Sequence, residues 1–160
     1  MKVRAALPAD IPAMLELESE APTAAHWTKE NYRDLFSSPR ITLVLEDTIL
    51  EVNALEDEFE SGSKLLGFIV ARDLGEELEI ENVVVAAKAR RRGLGNRLMG
   101  ELIDLAKARG AKHMLLEVRE SNTVARRFYE RRAFLPCGRR ERYYDHPEEA
   151  AILYRADLER

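Results

Sequence analysis

Cys137 is the only cysteine in 160 residues, so an internal disulfide framework is excluded and a reducing compartment suits the chain. Long apolar runs are missing too. No stretch approaches the ~20 residues that span a bilayer, and the opening MKVRAALPADIPAMLELE turns acidic where a secretion signal would need a continuous apolar segment. The expectation is a cytoplasmic chain with no membrane partner. Basic charge is in deficit, with 25 Lys and Arg against 29 Asp and Glu and a net charge of −4. That argues against nucleic-acid binding, which needs a basic face to displace counterions, and it suits a basic partner better. No His, Cys, Asp and Glu grouping has metal-ligand spacing, so no metal is expected. Internal repeats are lacking as well. What remains is an ordinary balance, 46% hydrophobic and 34% charged. The length fits a single domain, 1–160, able to bury a core unaided.

Apolar periodicity alternates between strand and helix. KVRAAL reads as a short strand, and DIPAMLELESE as a helix capped by Asp10 with Pro12 tolerated in its first turn. TKENYRDLFSS is a second helix, capped by Thr28, with Tyr32, Leu35 and Phe36 on one face. Two β-rich runs, RITLVLE and KLLGFIVARDL, flank an acidic separator from Asp47 to Ser63, which reads as a long hairpin connection inserted at about 47–63. ELEIENVVVAA is a third β-run, and its Val83-Val84-Val85 triplet suggests a strand buried on both faces. A helix from Leu94 to Arg109 follows, with Leu94, Leu98, Leu102, Leu105 and Ala106 at helical spacing and Gly110 as its stop. KHMLLEV returns as a strand. This strand-loop-helix-strand unit implies a parallel pair. A helix from Asn122 to Arg132 and a β-rich end around Ile152 to Ala156 complete an α/β fold with a mixed central sheet flanked by helices.

Between the third β-run and the long helix stands ARRRGLGNRL, three arginines and two glycines at a helix mouth. The first N–H groups of a helix have no internal partner, and glycines let an anion approach them closely. A solvated turn is the other reading. A phosphate loop of the Gly-Lys-Ser/Thr kind is absent, and the dinucleotide fingerprint wants a third glycine where Asn96 and Leu98 stand. A different pyrophosphate carrier is left.

Arg90-Arg91-Arg92-Gly93-Leu94-Gly95 matches the Gln/Arg-x-x-Gly-x-Gly/Ala pattern of the GNAT superfamily of acetyl-CoA-dependent N-acetyltransferases, and the chain resembles that superfamily from RAALPADIPAMLELE to AIL. Further on, LLEVRESNTVARRFYERRAF and RERYYDHPEEAAIL resemble segments of bacterial ribosomal-protein-alanine N-acetyltransferases. The resemblance implies a GNAT fold in which two parallel strands splay apart. Backbone groups of Val83, Val84 and Val85 would pair with the donor like an added strand. Amides from Arg91, Arg92, Gly93, Leu94, Gly95 and Asn96 would hold its pyrophosphate, and Asn122 would bond the pantetheine arm. Glu117 matches the family's general base and Tyr129 its general acid. Trp27, Tyr143 and Tyr144 would border the acceptor groove. The family's usual acidic residue and proline are replaced by Ala86-Ala87, His26 stands where a proline is common, and the acidic insertion is longer than the typical turn.

That pair of roles agrees with elementary acid-base chemistry. An α-amine with a pKa near ~8 must lose a proton to attack a thioester, and a phenol near ~10 still holds one for the departing thiolate. No covalent acyl-enzyme is needed, which leaves Cys137 a bystander. Each residue also has a plainer reading. Glu117 shares a face with Leu115 and could be a sheet-end carboxylate. Tyr129 could pack beside Phe128 and Ala125, the arginines could be a basic turn, and Tyr143 and Tyr144 could be tail packing. The expected function is acetyl transfer to a protein N-terminal amine, an N-terminal alanine of a ribosomal protein by resemblance. The alternatives are acetylation of a lysine or polyamine, and a non-catalytic acyl-CoA sensor.

Overall fold

A computed structural model describes residues 1–52 and 59–159. Seven strands form one mixed sheet in the order β1-β2-β3-β4-β5-β7-β6. They are β1 (Lys2–Ala5), β2 (Arg40–Val52), β3 (Phe59–Asp73), β4 (Glu77–Val85), β5 (His113–Arg119), β6 (Leu135–Tyr144) and β7 (Glu149–Asp157). The helices are α1 (Ile11–Ser19), α2 (Lys29–Arg33), α3 (Leu94–Ala108) and α4 (Thr123–Glu130). Pairing is antiparallel for β1 with β2, β5 with β7 and β6 with β7, and parallel for β4 with β5. The chain divides into two compact units, Met1–Val70 with Asn82–Leu102, and Ala71–Glu81 with Ile103–Arg160. Among the described residues no helix is long and apolar enough to cross a membrane.

The first unit is built on an apolar cluster that includes Met14, Leu17, Tyr32, Leu35, Val44, Phe68, Val70 and Val84. Thr28 caps α2 as its residue type predicts, its hydroxyl accepting the Asn31 N–H while the Asn31 side chain accepts the Thr28 N–H. Asp10 departs from the expectation. It precedes α1 without a side-chain cap, because its carboxylate accepts the Leu7 N–H at 2.7 Å and two guanidinium bonds from Arg4, and a charged bidentate partner outcompetes an exposed amide. Phe36 also departs: α2 ends at Arg33, and a 3-10 turn over Asp34–Phe36 keeps Leu35 buried while leaving Phe36 exposed.

The second unit packs Phe134 and Tyr154, both fully buried, beneath α4. Leu98, Leu102 and Ala106 of α3 are buried as their spacing predicts, and each buried leucine contributes about 2 kcal/mol. Leu105 is partly exposed, and Gly110 ends the helical segment in the left-handed region. The parallel ladder registers Glu77–Ile80 against His113–Leu116, while β4 runs on to Val85 and β5 to Arg119.

Three further sequence expectations need correction. The separator from Asp47 to Ser63 is largely strand, since β2 extends to Val52 and β3 begins at Phe59; residues 53–58 lie outside the described residues. The valine triplet is not buried on both faces: only Val84 is buried, and Val83 and Val85 lie half-buried on the face shared with Glu77, Glu79 and Glu81. The strict alternation of a pleated strand decides this. Finally, β6 has no apolar alternation to announce it. It is an edge strand paired only with β7, so polar and basic residues suffice.

Candidate active site

The first unit presents the glycine segment. The Ala86 N–H bonds the Leu66 carbonyl at 2.8 Å, closing the β3–β4 register, and a 3-10 turn from Ala87 to Ala89 leads into the loop. Arg90 turns back, its Nε donating to the Val85 carbonyl at 3.1 Å, so it braces the strand end. Arg91 and Gly93 both adopt left-handed φ, +61° and +76°, a conformation that curls successive amides into an anion-binding hollow. Only glycine reaches it without steric cost. Leu94 is buried and anchors the helix start, whereas Arg91, Arg92, Gly93 and Asn96 are exposed and Gly95 is half-buried. The intrahelical ladder begins with Arg97 N–H to Gly93 carbonyl at 3.1 Å, so the amides before it fall among those that a helix leaves without an internal partner. A Cβ added at Gly93 meets no atom within 4 Å. Trp27 belongs to this unit as well, half-buried, edge-on to Tyr32 at 5.6 Å and beneath the Arg40 guanidinium.

The second unit gathers the proposed acid-base groups. Glu117 lies on the β5 face opposite buried Leu116 and Val118, as alternation predicts. Its carboxylate is mostly buried, and Arg140 Nη2 of β6 stands 3.5 Å from Oε1. Interaction with that carboxylate, together with burial, holds the Tyr143 phenol above its ordinary range. Tyr144 is pushed up to about 12, first by burial and then by the Glu117 charge. The rings of Tyr143 and Tyr144 meet edge-on at 5.0 Å, and the Arg119 guanidinium lies 4.4 Å over Tyr144. Arg119 in turn pairs with Glu149 at 3.3 Å and bonds the Asp145 and Pro147 carbonyls, tying the β6–β7 turn to β5.

Tyr129 is buried on α4 against Phe128, Phe134 and Tyr154. Burial first and the neighbouring Tyr144 second raise it to about 12. Glu117, Tyr143, Tyr144 and Tyr129 therefore form one electrostatically linked group. Asn122 caps α4, its Oδ1 accepting the Ala125 N–H at 3.1 Å. Arg140 and Arg119 were not legible as site residues, because their place depends on the unannounced strand β6 and its turn. A carboxylate among phenols can accept a proton from an amine, and a phenol raised to about 12 retains one at neutral pH.

The model of the acetyltransferase (GNAT) family matches residues 11–134. The chain belongs to the GNAT acetyltransferase family. It is thus an acetyl-CoA-dependent N-acetyltransferase on a GNAT fold. A Bacillus subtilis (strain 168) protein provisionally named a [ribosomal protein bS18]-alanine N-acetyltransferase is 28% identical over 147 residues, 91% of this chain and 88% of its own. The crystal structure of the Escherichia coli ribosomal-protein-S18-alanine N-acetyltransferase superposes with a TM-score of 0.80 at 24% identity, over 98% of this chain and 93% of that one. A GNAT family acetyltransferase from Elizabethkingia anophelis, solved with acetyl-CoA bound, superposes with a TM-score of 0.69 at 19% identity, over 98% and 97% of the two chains. The family uses acetyl-CoA, a donor that carries a pyrophosphate.

Proposed function

We propose that this GNAT enzyme transfers acetyl from acetyl-CoA to the N-terminal α-amine of a protein, an N-terminal alanine on a ribosomal protein being the acceptor that the relatives' names favour. The observation that carries the chemistry is the Glu117 carboxylate set among Tyr143, Tyr144 and Arg140. The reading takes residues 1–160 as one catalytic domain acting in the cytoplasm. Amides from Arg91 to Asn96 hold the pyrophosphate, backbone groups of Val83, Val84 and Val85 pair with the acyl and pantetheine part, and Asn122 bonds the pantetheine arm. The acceptor ammonium gives its proton to Glu117, directly or through a water. The free amine adds to the thioester carbonyl, and collapse of that adduct breaks the C–S bond. Tyr129 supplies the proton to the leaving thiolate and regains one from the nitrogen of the adduct, which departs as the neutral amide. Trp27 in the first unit, and Tyr143 and Tyr144 in the second, are the residues given to the acceptor.

An α-amine lies one bond from the backbone, so an enzyme that acetylates it must hold the first residues of a peptide. Aromatic walls and backbone bonding suit that task, whereas a lysine amine arrives on a long flexible stem. The test compares kcat/KM for a peptide with a free N-terminal alanine followed by basic residues against the same peptide blocked at its terminus, at two salt concentrations. The free peptide should be preferred, less so at high salt, where screening within ~8 Å weakens attraction to an acidic surface. Glu56, Asp57 and Glu58 of the acidic separator would supply that attraction; they lie outside the described residues. A preference for the blocked peptide would favour a lysine or polyamine acceptor. Absence of thiol release with every amine would leave an acyl-CoA sensor.

A further inference from the structure

Glu18, near the end of α1, is a carboxylate with 4% of its surface exposed, and no step of the chemistry above uses it. Burying such a group costs several kcal/mol unless donors surround it. Two donors converge on one of its oxygens. The Trp27 backbone N–H reaches Oε1 at 3.1 Å, and the Asn82 side-chain amide reaches the same atom at 2.8 Å. Asn82 is itself 4% exposed and immediately precedes Val83 on β4. It is the polar exception on the buried face that carries Leu78, Ile80 and Val84. The Tyr32 hydroxyl is buried nearby without a geometrically sound partner, and burial first and the Glu18 charge second raise it. Trp27 stacks edge-on against that same Tyr32, which stacks against Phe68.

We infer that Glu18 is a positioning residue: by gripping the Trp27 amide and the Asn82 side chain on a single oxygen, it sets the acceptor wall at Trp27 in register with the donor strand Val83–Val85. The inference rests on the roles given to those residues under Proposed function. Its physical basis is the segment between α1 and α2. Residues 20–28 contain little regular structure, and His26 just before Trp27 takes a left-handed φ of +51°. Such a backbone holds only when its surroundings over-determine it, and the two charge-assisted bonds to Glu18 supply that constraint. The position of Trp27 is then set by a carboxylate nine residues upstream.

The experiment uses the full chain and the fact that Trp27 is its only tryptophan, so intrinsic emission reports on this segment alone. Glu18→Ala should red-shift that emission, increase its quenching by acrylamide, and raise KM for the acceptor about tenfold while leaving KM for acetyl-CoA within about threefold. Glu18→Gln keeps an acceptor oxygen toward both donors and presents its amide to the Tyr32 hydroxyl, so emission and acceptor KM should stay near wild type. If Glu18→Ala does not fold, Asn82→Leu removes one donor at similar volume and should move emission and acceptor KM in the same direction, less strongly. The inference is overturned if a folded Glu18→Ala leaves both readouts unchanged, if the two KM values and kcat change alike, or if the glutamine variant is as damaged as the alanine one. The acceptor used is whichever the wild type prefers. Wild-type preference alone judges the N-terminal reading, and Trp27 emission judges the grip of Glu18 whatever the acceptor.

Discussion

Tyr129 shows how a buried environment fixes a protonation state. Walled by Phe128, Phe134 and Tyr154, the phenol is raised to about 12, so it stays protonated well above neutral pH, where an exposed phenol would begin to ionise. Tyr129→Phe keeps the packing and removes only the donor. Turnover should fall roughly ten- to a thousand-fold, with acetyl-CoA affinity by calorimetry little changed; wild-type turnover would make Tyr129 a packing residue. Glu117→Gln should lose turnover on a similar scale and recover part of it at higher pH, where the amine deprotonates unaided, which a pH–rate profile reads directly. The side on which Glu117 falls was legible from alternation in KHMLLEV. Its Arg140 neighbour was not, because 22 residues of chain and an unforeseen edge strand intervene.

At the scale of elements, the β4-loop-α3 segment was the most legible part of the chain. Buried strand, glycine turn and amphipathic helix follow one another within 32 residues and depend on local rules. Gly93→Glu tests the loop. The site has open space but a φ of +76°, so the substitution strains the backbone by about 1–2 kcal/mol and puts a negative side chain where a phosphate should lie. Acetyl-CoA binding should be lost while circular dichroism shows a folded chain; wild-type affinity in a folded variant would refute the phosphate role. Gly67 of β3 tests the strand. A Cβ there would stand 2.7 Å from the Val84 carbonyl oxygen, a backbone atom that must move. Gly67→Ala should therefore lower Tm, by about 1–3 kcal/mol of stability, and weaken acetyl-CoA binding through the displaced strand. An isolated glycine inside a strand pattern was the available signal for this site.

Over the whole molecule the raised tyrosines make a prediction about alkaline stability. Tyr129 and Tyr144 lie near 12 in the folded chain, against about 10 when unfolded. Below pH about 10 both states keep the protons and the contribution is complete. Between about 10 and 12 the unfolded chain ionises first, so stability falls as pH rises, and the decline levels off above the folded value. For buried Tyr129 the loss amounts to about 2–3 kcal/mol, and it is smaller for the more accessible Tyr144. Urea unfolding at stepped pH should show this decline, and Tyr129→Phe should flatten it. An unchanged slope in that variant would mean that Tyr129 titrates as it does in water.

Chain-local chemistry was determined by sequence alone. Period-3.6 and period-2 patterning marked the helices and most strands, Thr28 marked a cap, and glycines marked the turn that opens α3, because each depends on neighbours a few residues away. Tertiary structure decided what depends on distant partners. Asp10 became a partner of Arg4 rather than a helix cap, Arg140 came to face Glu117, and β6 formed at an edge where one paired side suffices without an apolar stripe. The Glu18–Asn82 bond joins residues 64 apart. Read along the chain, each is an ordinary polar residue; only burial, which removes water as the alternative partner, makes their pairing obligatory.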